Sequence, residues 1–352
     1  MRKNLLMLVV ILLTALMANA ETSQSVVASL NHEGTVTTFM GGNGLRDALN
    51  AAVDGDAIVL SQGTFNAADI TKAITLRGAG TSTLSLPDAK IDPVATTYIT
   101  GDMSINIPAT EGKLTIEGCR FNNYVYFTKA PAVDVFKTHM YNIRSISKDV
   151  ASINFVHCLL YRNSYYYNEI NEHTTMVNTV AYFDYFNPCI NALNCMLIGN
   201  RYNTFSHNSS ASGGGQLYNC IFMLESDPGN TYRVELSSNC VAYKSIACLK
   251  ASFNRWDLFK DFFRYCGNGT NQVINGVTMF NAEDNVPSYP FILTEEAQQT
   301  YLGNDGTQVG IHGGALPMDP IPDNLLVTKC NIAPKTTPTG KLSIEIQVST
   351  AK

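Results

Sequence analysis

The stretch YRNSYYYNEINEH, residues 161–173, is the richest polar and aromatic part of the chain. Successive side chains of a strand point to opposite faces, so three consecutive tyrosines cannot all be buried and at least one ring is exposed. An exposed ring can stack on a sugar, and nearby charged groups can hold the sugar hydroxyls. The residues predicted to bind a glycan are Arg162, Tyr165, Tyr166, Tyr167, Glu169, Glu172, His173 and, in the next repeat, Asp184. The alternative is that these rings pack along the surface and the charged groups are solvated.

Patterns that would indicate lyase or hydrolase chemistry are missing from the sequence. Residues 100–250 contain five aspartates, and none of them falls as a pair on one predicted repeat. A calcium-dependent lyase needs clustered carboxylates, and a glycoside hydrolase needs two carboxyl groups about 5–9.5 Å apart. The six histidines show no ligand spacing, so we expect neither a metal site nor a cofactor. The sequence assigns no catalytic residue and favours binding over catalysis.

A recurring pattern of an apolar run, a corner and a cysteine shows how the chain must be organised. The pattern recurs at Cys119, Cys158, Cys195, Cys220 and Cys240, and the equivalent positions in the two gaps between the first three are His139 and Thr179. The resulting steps are 20, 19, 21, 16, 25 and 20 residues. A period near 20 with short strand-like pieces is typical of a solenoid, in which each turn covers the previous one.

Each repeat contains short runs rich in Val, Ile, Phe and Tyr, separated by Asn, Gly and Ser, which indicates a parallel β-helix. We expect ten to twelve coils between Ala57 and Pro290. Cys195, Cys220 and Cys240 should occupy successive core positions. The asparagines before them, Asn194, Asn219 and Asn239, should form left-handed corners whose amides bond from coil to coil. Nine cysteines in an exported chain also permit disulfides, but the odd count and the shared repeat position favour buried free thiols.

The outer face of one predicted sheet is unexpectedly apolar. Leu159, Met196, Ile221 and Val241 occupy positions that should meet solvent. A parallel sheet that is apolar on both faces is normally covered on both. We therefore expect a cover, either the aromatic helical stretch 255–266 or the segment after Pro317.

Two stretches resemble a known class of proteins. The run DALNAAVDGDAIVLSQGTFNAADITKAITLRGAG at 47–80 resembles the N-terminal cap and first coils of exported right-handed parallel β-helix proteins of the pectate-lyase-like class. The run YPFILTEEAQQTYLGNDGTQVGIHGG at 289–314 resembles the end of the helix in the same class. The resemblance implies an all-β, right-handed β-helix over 45–315 with an N-terminal capping helix. The class includes lyases, hydrolases and adhesins.

The first residues have the form of a secretory signal peptide. Basic Arg2 and Lys3 precede an apolar run, and Ala18-Asn19-Ala20 forms a cleavage site. We expect segment 1–20 to be removed, followed by an N-terminal extension at 21–44 and a C-terminal tail at 316–352. The protein should be secreted, periplasmic or on the cell surface, without a transmembrane segment. Cleavage leaves 22 basic against 29 acidic residues and no basic stripe, so nucleic acid is not an expected partner.

These observations favour an exported β-helix that binds a polysaccharide or cell-surface glycan, or another surface partner, without catalysis. One alternative is a polysaccharide lyase or glycoside hydrolase with an atypical site. Another is a structural or adhesive surface protein. The sequence leaves the glycan and the oligomeric state open.

Overall fold

The computed structural model describes residues 26–81, 96–163, 173–183, 190–199, 214–225, 234–236, 240–249, 256–266, 270–281, 290–319, 325–332 and 344–350. The strands are β1 Val27–His32, β2 Thr35–Met40, β3 Ala57–Leu60, β4 Gly63–Asn66, β5 Thr75–Arg77, β6 Thr97–Thr100, β7 Met103–Asn106, β8 Leu114–Glu117, β9 Cys119–Lys129, β10 Val133–Phe136, β11 His139–Ile146, β12 Ile153–Val156, β13 Leu159–Asn163, β14 Thr174–Val177, β15 Val180–Phe183, β16 Asn191–Leu193, β17 Met196–Gly199, β18 Gln216–Tyr218, β19 Ile221–Leu224, β20 Val241–Tyr243, β21 Ile246–Leu249, β22 Gln272–Ile274, β23 Leu325–Ile332 and β24 Ile344–Thr350. The helices are α1 Gly44–Ala51, α2 Trp256–Phe259 and α3 Glu295–Thr300.

The chain forms an all-β parallel solenoid, as the sequence predicts. The first sheet has the strand order β2-β1-β3-β5-β8-β10-β12-β14-β16-β18-β20. The second sheet has the order β22-β21-β19-β17-β15-β13-β11-β9-β6-β4, and β7 pairs with the far end of β9. Because consecutive strands alternate between the two sheets, each coil lies parallel on the one before it. The side chains between the sheets form one continuous apolar core.

About seven regular turns follow one another from β8 to β21. The coils β3–β4 and β5–β6 precede them, and β22 adds one more parallel strand at the far end of the second sheet. The first parallel strand begins at Ala57, as predicted. The prediction of ten to twelve coils is too high for the part of the chain that the structure describes. The right-handed sense of the helix stays a prediction.

A ladder of buried side chains marks the start of the second-sheet strand in each regular turn. We call it the corner ladder, and its members are Cys119, Thr138, Cys158, Thr179, Cys195, Cys220 and Ser245. Each thiol or hydroxyl donates a hydrogen bond to the backbone carbonyl two residues earlier. The donor–acceptor distance is 2.8 Å for Thr138 and 3.2 Å for Cys220. The shared requirement along the ladder is thus geometric: a small side chain that can donate to a carbonyl.

The ladder corrects the predicted register at two positions. Met196 pairs with Ile221, and Ile221 pairs with Ile246, so Cys195 and Cys220 are stacked but Ser245 follows them instead of Cys240. Cys240 lies directly before β20 in the first sheet. A cysteine after an asparagine looks the same before either sheet, and the sequence pattern could not distinguish them. His139 is also displaced by one residue, because the position equivalent to Cys119 is Thr138.

The described cysteines support the prediction of free thiols. All seven of those with described side chains are buried and unbridged, including the three that are not on the ladder, Cys240, Cys248 and Cys266. Burial raises the pKa of the Cys158 and Cys248 thiols to about 12, so they stay protonated near neutral pH. The structure does not describe the side chains of Cys189 and Cys330.

The residues before the ladder adopt the left-handed conformation, as predicted for Asn194 and Asn219, both at φ 54°. Asn178 does the same at φ 43°, whereas Asn239 lies outside the described residues. The side-chain hydrogen bonds of Asn178 and Asn219 differ from the predicted amide-to-amide ladder. The side-chain amide of Asn178 donates to the carbonyls of Ile311 and Gly313, at 2.9 and 2.7 Å. These corner amides bind a later segment of the chain.

That later segment, residues 290–319, runs back along the corners, and we call it the C-terminal strap. Asn219 bonds with Asn304, His157 Nε2 donates to the carbonyl of Leu316 at 3.0 Å, and Lys137 Nζ lies 3.3 Å from Asp319 Oδ2. Its residues therefore contact successively earlier coils as the chain proceeds.

The strap and the preceding residues cover the outer face of the second sheet. A second apolar core forms there from Val180, Met196, Ile198, Ile221, Met223, Ile246 and Cys248 on the sheet and Val277, Met279, Phe280, Phe291, Leu293, Ala297, Val309, Ile311 and Met318 above it. The predicted cover thus exists, but neither predicted segment supplies most of it. Stretch 255–266 instead places Phe259, Phe262 and Phe263 in the main core.

The row beneath the cover also differs from the predicted one. Met196 and Ile221 are buried, and Leu159 packs at the margin of the second core. Val241 is 55% exposed, because it belongs to the first sheet, and Ile246 takes the expected place. The error arises because Cys240, and Val241 with it, belongs to the first sheet and not to the second.

Residues 27–40 form an antiparallel hairpin that adds β1 and β2 to the first sheet. His32 Nδ1 lies 2.8 Å from Asp56 Oδ1 and ties the hairpin to the first coil. Helix α1 follows and buries Leu45, Ala48 and Leu49 in the main core. Its role as an end cap stays a prediction. Beyond residue 315, β23 and β24 pair as a separate antiparallel hairpin.

Candidate functional site

Most residues of the predicted glycan site lie outside the described part of the chain. These are Tyr165, Tyr166, Tyr167, Glu169, Glu172 and Asp184. The backbone of Arg162 belongs to β13, without a described side chain, and His173 is exposed directly before β14. Whether these residues form one surface is therefore still a prediction.

A described surface beside Arg162 has the same chemical character. Six tyrosines occupy outward positions on the first half of the second sheet and around the bend in β9 and β11, and we call this surface the tyrosine strip. Its members are Tyr98, Tyr124, Tyr126, Tyr141, Tyr161 and Tyr182. Tyr124 and Tyr141 are exposed and the other four are partly buried, because the apolar cover begins at Leu159 and Val180.

Three of these tyrosines stack across neighbouring coils. The ring centres of Tyr141 and Tyr161 are 5.4 Å apart with an angle of 30° between the rings. Tyr161 and Tyr182 are 4.8 Å apart and tilted by 58°. Parallel strands spaced about 4.8 Å apart bring equivalent side chains to this separation. The result is a continuous aromatic surface in which Tyr141 is 39% exposed.

The inner end of the stack touches the second core. Burial raises the pKa of the Tyr182 hydroxyl above its ordinary value, and the nearby Glu225 and Tyr161 raise it further. The Tyr182 hydroxyl therefore stays protonated and can donate a hydrogen bond at neutral pH. Tyr182 forms the boundary between the covered and the open part of the sheet.

Two arginines lie over rings at the other end of the strip. The guanidinium carbon of Arg120 is 5.4 Å from the centre of the Tyr98 ring, and Arg120 Nε donates to Asn122 Oδ1 at 3.1 Å. Arg144 lies 5.4 Å from the centre of the Tyr124 ring. Such contacts hold in place a guanidinium, which carries five N–H donors. The strip thus combines ring faces with fixed hydrogen-bond donors.

His139 lies between Arg120 and Leu159 in the same row of the sheet. Burial, together with the nearby positive charge of Arg120, lowers the pKa of His139 to about 4. His139 is therefore neutral at pH 7. The positive charge of this part of the strip comes from the arginines.

The sequence contained a signal for this surface that the search for charged clusters missed. Tyr141, Tyr161 and Tyr182 are separated by 20 and 21 residues, which is the period of the solenoid. Aromatic residues that recur at the repeat length fall on one face and one row. The tyrosines of residues 161–173 are neighbours in sequence, whereas Tyr141, Tyr161 and Tyr182 are neighbours only across coils.

Among the described residues, histidine, cysteine, aspartate and glutamate side chains form no group of three that could hold a metal ion. In the same part of the chain, no helix has both the length and the apolar character needed to cross a membrane. Comparisons with protein-family models, with curated proteins and with solved structures find no match to this chain.

Proposed function

We propose that this chain is an exported β-helix protein that binds a glycan without catalysis and that the tyrosine strip is its contact surface. The observation that supports this most directly is the stack of Tyr141, Tyr161 and Tyr182, repeated at the strand spacing and partly open to solvent. A sugar ring has an apolar face that packs on an aromatic ring and a rim of hydroxyls that needs donors and acceptors. The strip provides both.

The dimensions of the strip suit a chain of sugars. It extends over β6, β9, β11, β13 and β15, which spans about 19 Å at a spacing of about 4.8 Å per strand. Arg120, Arg144 and Asn122 border the rings and supply hydrogen bonds. A surface of this kind is pre-formed on a rigid sheet, so little conformational entropy is lost on binding. The predicted residues around Arg162 would extend it.

The test replaces the two central rings together, Tyr141→Ala with Tyr161→Ala, and measures binding to a panel of soluble polysaccharides by affinity electrophoresis. Stacking contributes about 0.5–1.5 kcal/mol per ring, so loss of both should weaken binding by about fivefold to about 150-fold. Tyr265→Ala is the matched control, because Tyr265 is 55% exposed and lies under Arg264 at 5.4 Å, away from the strip.

Unchanged binding in the double variant, or no binding of any polysaccharide by the unmodified protein, contradicts the proposal. The enzyme alternative gives a different result in the same panel. It predicts new reducing ends or unsaturated products over time, whereas a binding protein leaves the polysaccharide length unchanged.

Export and the pectate-lyase-like class belong to the same proposal. The signal-peptide pattern in residues 1–20 supports export, and N-terminal sequencing of the protein from the culture medium or periplasm should begin at Glu21. The parallel solenoid supports the class, and the buried face of α1 against the first strands supports its role as an N-terminal cap.

A further inference from the structure

The outer face of the first sheet carries a second apolar row, and this row is open. Strand register aligns one outward residue from each of six successive strands, β10 to β20. The members of this open row are Phe136, Val156, Val177, Leu193, Tyr218 and Tyr243. Tyr218 and Tyr243 have ring centres 6.1 Å apart.

No segment that the structure describes packs on the open row. Its six residues belong to neither of the two apolar cores. Leu193 is 39% exposed, and the other five are partly exposed. The backbone of Leu316 lies near one end of the row, since its carbonyl accepts a hydrogen bond from His157, the neighbour of Val156, and the residue is 61% exposed. Contiguous exposed apolar surface of this kind marks an interaction site.

A row of polar side chains runs beside it and carries little net charge. It includes Thr115, Asn154, Thr175, Asn191 and Gln216, its one acid is Asp134, and it ends on the apolar Val241 of β20. Lys113 Nζ lies 2.7 Å from Asp134, and Asn154 donates to the same carboxylate at 2.8 Å. The face therefore has an apolar centre and a polar, neutralised margin, as protein interfaces do.

We infer that the open row binds a second copy of this chain, face to face and antiparallel, around a two-fold axis between β14 and β16. In this arrangement Val177 of one copy packs beside Leu193 of the other, Val156 beside Tyr218, and Phe136 beside Tyr243. A large residue then meets a smaller one near the axis, and no like charges come together. A two-fold interface needs such a self-complementary surface.

The centre of the row favours this occupant over a glycan. Val156, Val177 and Leu193 offer neither a ring nor a hydrogen-bond donor, so a sugar would lose hydration there without replacement contacts. An added peptide strand would pair with a sheet edge and not with this face.

The size of the face sets the strength of the contact. Six strands at about 4.8 Å and four residues at about 3.3 Å give a face of about 29 by 13 Å, or roughly 380 Å² in projection. A standard stable interface covers about 800 Å² on each partner. We therefore expect a weak dimer that dissociates on dilution.

The test is sedimentation velocity of the mature protein from about 1 µM to about 500 µM, a range that brackets weak association. The unmodified protein should shift towards a dimer as its concentration rises, and Leu193→Asp should stay a monomer throughout. Val36→Asp is the control, because Val36 is an apolar residue that is 61% exposed on the hairpin, away from the row. It should dimerise like the unmodified protein.

A charge-exchange experiment tests the register. Val177→Lys alone and Leu193→Asp alone should both be monomers. Their equimolar mixture should form a dimer, because the antiparallel arrangement places the lysine introduced in one copy against the aspartate introduced in the other.

A monomer at the highest concentration for the unmodified protein, or dimers of Leu193→Asp alone, would overturn the inference. A mixture that stays monomeric while the unmodified protein dimerises would overturn the antiparallel register. Equal melting temperatures of the variants show that folding is intact.

Discussion

At the scale of single residues, the corner ladder shows how one position tolerates cysteine, threonine and serine. Cys220 Sγ donates to the carbonyl of Tyr218 at 3.2 Å, and Ser245 Oγ donates to the carbonyl of Tyr243 at the same distance. Both residues are fully buried. A buried hydroxyl is stable only with an acceptor, and the carbonyl two residues earlier supplies one in each regular turn.

This geometry reverses an expectation based on burial alone. Sequence reasoning predicts that Cys220→Ser destabilises more than Cys248→Ser, because a hydroxyl would enter the core without a partner. The ladder provides that partner at Cys220, whereas Cys248 lies in the second core and makes no hydrogen bond to a residue that the structure describes. We now expect Cys220→Ser to be nearly neutral and Cys248→Ser to cost about 1–3 kcal/mol. Urea unfolding of the two variants measures the loss in the free energy of unfolding. A larger loss for Cys220→Ser than for Cys248→Ser would contradict the role of the ladder.

His139 should make the fold sensitive to acid. Its pKa is about 4 in the folded protein and about 6.5 when unfolded. The unfolded chain thus binds the proton first, and stability is lost as the pH falls from about 6.5 towards 4. The difference amounts to about 3 kcal/mol at the acid end. The unfolding free energies of His139→Gln and of the unmodified protein are measured from pH 7 to pH 4. As the pH falls, the value for the unmodified protein should approach that of His139→Gln. A constant difference over this range would show that His139 is not the titrating group.

At the scale of elements, the C-terminal strap explains why asparagines occupy the corners. Asn178 and Asn219 take the left-handed conformation and also offer amides to the strap. Glycine could satisfy only the first requirement. Gly314 lies so close to Asn194 that a side chain there would collide with its amide. The strap and the corners are therefore fitted to each other.

Asn178→Gly tests the strap without straining the corner, since glycine accepts positive φ. It removes two hydrogen bonds, to the carbonyls of Ile311 and Gly313. We expect faster hydrogen exchange in the amides of 304–319 and a loss of about 1–3 kcal/mol in the free energy of unfolding. Lys244→Gly is the control, because it changes an equivalent corner at φ 50°. Equal exchange of the strap in both variants would mean that the amide bonds do not hold it.

At the scale of the whole molecule, the sequence was sufficient for the parallel solenoid and for its start at Ala57, because the 20-residue period records how coils stack. It was insufficient for register, since Cys240 and Cys220 look alike although they precede different sheets. The identity of the cover also could not be predicted, because residues 277–318 are far from the second sheet in sequence and lack its period. The tyrosine strip was missed for the opposite reason: its period was present but hidden by a local cluster.

The two sheets therefore have different outer faces. The second sheet is covered over its later coils and displays the tyrosine strip over its earlier ones. The first sheet keeps the open row of apolar residues, with Leu193 at its centre. Glycan binding on one sheet and self-association on the other would not compete. Dimerisation would place two tyrosine strips on one particle and raise the effective affinity for a long polysaccharide.

Hydroxyl-radical footprinting tests most directly whether a glycan contacts the tyrosine strip, because it reads the accessibility of individual rings. The protein is labelled with and without a polysaccharide that it binds, and modified residues are located by mass spectrometry. We predict that Tyr141, Tyr161 and Tyr124 lose labelling in the complex, whereas Tyr265 and Leu193 label as before. Protection of Leu193 and Tyr218 with no change at Tyr141 and Tyr161 would contradict the account and place the glycan on the other sheet.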